Sequence, residues 1–116
     1  MNPASSCYRL SRSVMGENMP MDSLRLEVNP ESFYLLSYHH LEFGKFEAGK
    51  DRDVLTLAFT GHEVRIVGRN LRDLAVAVQK RAVESITPMP NRYSATSSGQ
   101  GGLVEVIEVR ASEGNN

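Results

Sequence analysis

The sequence predicts an α+β domain: a mostly antiparallel sheet of five or six strands, with one amphipathic helix over about residues 70–87 packed across one face. Three segments carry that expectation. Residues 54–69 alternate apolar and polar on either side of Gly61-His62, as a hairpin does. Residues 71–86 change to an apolar repeat at helical spacing. Residues 103–109, beyond a Ser- and Gly-containing stretch, return to a Val- and Ile-rich run suited to a strand. The same elements also fit a partly open barrel closed by the helix.

A chain of 116 residues with a formal net charge of −1 suits one domain. Near-neutrality argues against a protein that coats nucleic acid, although local patches remain open. The single cysteine, Cys7, has no internal disulfide partner. No apolar run approaches the roughly 18 residues of a membrane span. These features lead to a small, soluble, cytoplasmic protein with no membrane association.

Residues 1–22 show no sustained period and are expected to be poorly ordered, either as a natural tail or because translation starts at Met19 or Met21. A single domain follows over residues 23–110, with a flexible loop at 91–102 inside it and a frayed tail at 111–116.

Within the domain, Leu24 to Val28 alternates as a short strand closed by Asn29-Pro30. Phe33 to Phe43 reads as a longer extended stretch. Its phase slips before Phe46, which places a bulge or bend at Gly44. In the hairpin, taking Gly61 and His62 as the loop pairs Thr60 with Glu63, Phe59 with Val64 and Leu57 with Ile66. Leu55, Leu57, Phe59, Val64 and Ile66 then share one face.

Asn70 is a favoured N-cap residue, and Asp73 suits the positive end of the helix. Leu71, Leu74, Ala75, Val78, Ala82 and Ile86 form one stripe, and Thr87-Pro88 stops the helix. Val76 and Val83 lie off that stripe, so a second side of the helix is expected to be partly covered by another strand or by a second copy. The final strand, Leu103 to Val109, has apolar residues of both parities and is expected to be central or at an interface.

Chemical motifs are sparse. His40 and Glu42 share strand parity, and with His62 at the turn they form a candidate metal set, although structural zinc needs at least three well-placed ligands. The serines lie outside any nucleophile elbow. Gly99-Gln100-Gly101-Gly102 precedes a strand and lacks the Lys-Ser/Thr of a phosphate loop, so no cofactor is implied.

Charge is more informative. Residues 27–63 are mainly acidic, whereas 65–92 are mainly basic. Arg65 and Arg69 on the outer face of the hairpin, Arg72 at the helix start and Tyr93 beyond it form a candidate binding cluster. It would meet phosphates and a stacked base, the acidic half of a second subunit, or local carboxylates.

The sequence therefore points to an interaction module rather than an enzyme. Its leading partner is protein, in the form of a homodimer or other homo-oligomer. Nucleic acid bound through Arg65, Arg69 and Arg72 is the alternative, and a small metal-dependent enzyme the third reading.

Overall fold

The computed structural model describes residues 7–15, 17–89 and 103–112. The chain is α+β, but its strands divide between two four-stranded sheets. In order, the elements are β1 (Tyr8–Leu10), β2 (Ser13–Val14), β3 (Glu17–Asn18), β4 (Ser23–Asn29), β5 (Ser32–Ser37), a 3₁₀ turn (Tyr38–His40), β6 (Leu41–Glu47), β7 (Asp53–Phe59), β8 (His62–Arg69), α1 (Arg72–Gln79), β9 (Val83–Ile86) and β10 (Leu103–Ala111). Sheet I has the order β1-β9-β4-β5 and sheet II the order β10-β8-β7-β6, with β2 and β3 forming a separate ladder. All pairings are antiparallel except β4 with β9. The five or six expected strands are thus eight in two open sheets, and neither sheet closes into a barrel among the described residues.

Both sheets and the helix contribute to one apolar core. Leu24, Leu26 and Leu36 come from sheet I, Leu55, Leu57, Val64 and Ile66 from sheet II, and Leu74 and Val78 from α1. The long extended stretch expected over 33–43 is broken by the 3₁₀ turn, where the chain leaves sheet I for sheet II. Tyr38 anchors that corner: its ring is buried and its hydroxyl donates to the Val83 carbonyl at 2.8 Å. The phase slip is a bulge at Glu42, skipped between the Leu41–Phe59 and Phe43–Ala58 pairs, two residues before Gly44.

The hairpin forms in a register two residues away from expectation. Thr60 and Gly61 are the loop, Phe59 faces His62, Leu57 faces Val64 and Leu55 faces Ile66. Gly61 takes φ +86° at the second loop position, which a side chain would disfavour. A shift of two preserves every residue's face, so the apolar pattern fits both registers equally.

The helix is less than half its expected length. Asn70 is not its N-cap: it adopts φ 56°, a left-handed conformation that asparagine tolerates. The N-cap position is Leu71, which has no side-chain cap; its own N–H donates to Asp53 Oδ2 on β7 at 3.0 Å. At the other end, Arg81 also adopts φ 57°. Its N–H donates to Val78 O and that of Ala82 to Ala77 O, both at 2.9 Å, the two hydrogen bonds of a Schellman ending. Glycine normally fills the left-handed position. Here Arg81 fills it, and its guanidinium donates to the Met21 carbonyl at 3.0 and 3.1 Å.

Residues 83–86 therefore form a strand rather than the last helical turn. The four-residue spacing of Val78, Ala82 and Ile86 satisfies both a helical and an alternating repeat. Val83, off the helical stripe, is buried as a strand residue, whereas Val76 on the helix is exposed. A two-turn helix is unstable alone and is held by packing.

The N-terminal segment differs from expectation as well. β1 pairs antiparallel with β9, and hydrogen bonds of 2.7 Å from Thr87 N–H to Cys7 O and from Ser11 N–H to Ala82 O fasten both of its ends. Cys7 is buried with the core at 2% exposure. The expected loop at 91–102 lies outside the described residues, as does residue 93.

Candidate functional site

The arginines singled out in the sequence do not form one surface. Directly opposed residues in an antiparallel pair share a face. Buried Val64 and Ile66 define the inner face of β8, so Arg65 and Arg69 lie on the outer face. Arg72 belongs to α1 against the inner side, where its guanidinium stands 5.0 Å from the Phe46 ring centroid. Phe46 pairs with the inward-facing Leu55, so Arg72 is separated from the other two by the sheet. Tyr93 lies outside the described residues.

Arg65 and Arg69 already have carboxylate partners. Arg65 Nη1 lies 3.7 Å from Glu108 Oε1, directly across the β8–β10 pair. Arg69 Nε lies 3.5 Å from Glu105 Oε2, and Arg52 Nε lies 2.5 Å from the other oxygen of that carboxylate. Glu105 is the extra residue of a bulge in β10, which turns its side chain between the two arginines and leaves it 6% exposed. The Glu105 contact also raises the Arg52 pKa above its ordinary value. Glu63 pairs with Arg110 at 3.2 Å on the same face. Within the basic segment, Arg65 and Arg69 are matched by β10 and Arg81 by Asp22, rather than by the acidic segment.

The candidate metal residues do not converge among the described residues. Glu42 Oε2 accepts from the Thr60 hydroxyl at 2.9 Å, and the backbone carbonyl of His40 accepts from Thr60 N–H at 2.8 Å. The His62 ring meets Tyr34 edge-on, with centroids 6.4 Å apart. Among the described residues, no three His, Cys, Asp or Glu side chains are grouped to hold a metal ion.

Among the described residues, two of the surface hollows lie near charged or apolar patches. One of about 360 Å³ over sheet I is lined by Arg9, Arg25, Glu27, Ser85 and Thr87. Its central charges meet each other, with Arg25 Nε 3.0 Å from Glu27 Oε2 and the Thr87 hydroxyl donating to Glu27 at 3.3 Å. The other, about 420 Å³, is an apolar groove between α1 and β6.

The sheet edges show a sharper contrast. Among the described strands, β1, β5, β6 and β10 each pair on one side only. Edge strands commonly carry charges or bulges that discourage pairing with another chain. β6 has both, with Glu42, Lys45, Glu47 and the bulge; β10 has Glu105, Glu108, Arg110 and its own bulge. β1 is three residues long, contains Arg9 and has an irregular register. β5, Ser-Phe-Tyr-Leu-Leu-Ser, has no charge and no proline, and the bulge in its hairpin lies on β4 at Val28. Phe33, Tyr34 and Leu35 on this strand are 54%, 39% and 62% exposed. Sequence reasoning placed Phe33–Leu35 in a strand but missed that they lie at an edge, because edge position depends on which strands pair.

No helix of the described residues is long and apolar enough to cross a membrane. No family model matches the chain, and no curated protein or solved structure shows significant similarity to it.

Proposed function

We propose that this chain is a protein-interaction module that binds by strand addition at β5. The observation that carries this reading is the conjunction of an edge unpaired among the described residues with three successive exposed apolar residues, Phe33, Tyr34 and Leu35, on a strand without charge. An added strand gains main-chain hydrogen bonds from the edge, while alternate side chains supply selectivity. Phe33 and Leu35 point to the outer face of sheet I with Arg25 and Glu27, the residues they oppose on β4. An incoming strand would cover both. The guanidinium of Arg25, 5.6 Å from the Phe33 ring centroid, forms the polar rim of this patch.

A cytoplasmic setting belongs to this reading, since the one cysteine is buried without a disulfide partner. A nucleic-acid role through Arg65 and Arg69 has less support, because phosphates would have to displace Glu108 and Glu105.

The test is amide hydrogen exchange across residues 32–37 during titration with an extended apolar hexapeptide carrying solubilising lysines at its ends. Slower exchange confined to β5, and lost in Leu35→Lys, is the expected result. Unchanged β5 exchange at saturating peptide overturns the reading.

A further inference from the structure

We infer that the strand added at β5 is the β5 of a second copy of this chain, paired antiparallel about a two-fold axis at Tyr34. This rests on the strand-addition reading above and names the partner. A two-fold axis perpendicular to a sheet makes one residue of the edge strand face its own counterpart, so the allowed registers differ by steps of two. With Tyr34 on the axis, Phe33 opposes Leu35 of the second copy and Leu35 opposes its Phe33. The two most exposed apolar side chains of β5 are then covered together, on the same outer face. With Leu35 on the axis, Phe33 would instead oppose Ser37, leaving the aromatic ring against a small polar neighbour.

Charge supports the same occupant. A two-fold contact places each residue near copies of the same strand, so a charged edge repels itself. Of the four edges of the two four-stranded sheets, β5 alone carries no ionisable side chain, apart from the Tyr34 phenol, which is neutral near pH 7. The product joins two copies of sheet I into a continuous eight-stranded sheet, with the order β5-β4-β9-β1 read outward from the axis on both sides. The two cross-strand pairs of Phe33 with Leu35 then lie side by side across the join.

Sedimentation equilibrium across the micromolar range, combined with oxidation of variants that carry one introduced cysteine beside the buried Cys7, tests this. Unmodified protein is expected to dimerise, and Leu35→Lys to weaken dimerisation about tenfold or more, from the loss of a buried leucine contact on each side. Phe43→Lys, an exposed aromatic on the other sheet, leaves the dimer intact. Tyr34→Cys forms an intermolecular disulfide, because directly opposed residues fall within disulfide reach. Ser37→Cys stays reduced, its two copies lying about 20 Å apart at six residues of strand rise. Far-ultraviolet circular dichroism confirms that each variant is folded. A monomer at high micromolar concentration, a dimer indifferent to Leu35→Lys, or cross-linking at residue 37 rather than 34 overturns the second-copy inference. The peptide titration separates that failure from failure of the β5 reading: a monomer whose β5 still gains protection from peptide has a strand-binding edge and a different partner.

Discussion

Gly68 lies against Leu103 so closely that a methyl group in place of its hydrogen would strike the Leu103 carbonyl oxygen and crowd the Val104 backbone at 3.0 Å. This approach lets β10 join sheet II where its bulge begins, and the bulge sends Glu105 between Arg52 and Arg69. One missing side chain on β8 thus supports an ion cluster made by three other residues.

Gly68→Ala is expected to destabilise the protein by about 1–3 kcal/mol, the range for forcing atoms into a packed site, because both obstructing groups are backbone. Urea unfolding measures it. Glu105→Ala should cost more than Glu108→Ala, since the Glu105 side chain is enclosed and Glu108 is exposed. The exposed pair should contribute no more than about 1 kcal/mol. Equal losses at the two positions would show that the bulge does not strengthen the cluster.

Arg81 combines a disfavoured backbone with a favourable side chain. Its left-handed conformation costs about 1–2 kcal/mol in most residues other than glycine and asparagine. Arg81→Ala keeps that cost and loses both hydrogen bonds to Met21, so it should be the least stable variant. Arg81→Gly loses the same bonds but relieves the backbone, and should exceed Arg81→Ala by about 1 kcal/mol. Thermal or urea denaturation of the pair decides this.

Tyr38 should make the protein sensitive to alkali. Burial pushes its phenol up to about 12 from an ordinary value of 10.0, against the smaller opposing effects of the Val83 hydrogen bond and Arg81. With the folded value above the unfolded one, the unfolded chain releases the proton first as pH rises. The associated stability is complete below pH 10 and is lost progressively up to about pH 12, on the order of 2–3 kcal/mol in all. Tyr38→Phe should flatten that alkaline decline. At neutral pH it should cost about 1–3 kcal/mol, because Val83 O keeps no partner from the ring. Stability measured from pH 8 to 12 in both proteins checks both effects.

Cys7 should resist thiol reagents in the native protein. It is buried, its Sγ accepts from Val104 N–H at 3.2 Å, and desolvation raises its pKa despite that hydrogen bond. Labelling by a disulfide reagent should therefore be slow in buffer and fast in urea. Fast native labelling would place residue 7 outside the core.

The difference at Cys7 shows where sequence reasoning lost contact with the fold. Tyr8–Leu10 is too short to display a period, and it pairs because β9, far away in sequence, offers a neighbour. The helix end was hidden for a related reason. Arg81 gives no stop signal, and it can hold a glycine position because Met21, from a distant segment, receives its guanidinium. The start differs because Asn70 takes a left-handed turn and Leu71, held by Asp53 on β7, occupies the N-cap position. For the candidate site, Arg65 and Arg69 were correctly assigned to the outer face of the hairpin by alternation, yet their partners Glu108 and Glu105 became visible only when β10 paired with β8.

Alternation and local propensity alone determined the α+β class, the β7–β8 hairpin with its inward set Leu55, Leu57, Phe59, Val64 and Ile66, and strands at β4 and β10. These features depend on which face each side chain takes, and a repeat of two residues records that directly. Tertiary structure decided the hairpin register, the division into two sheets, the two-turn length of α1 and the exposure of Phe33, Tyr34 and Leu35 at an edge. Each of these depends on hydrogen bonds and packing between segments far apart in the chain, and a parity-preserving shift or a change of strand order leaves the local pattern unaltered.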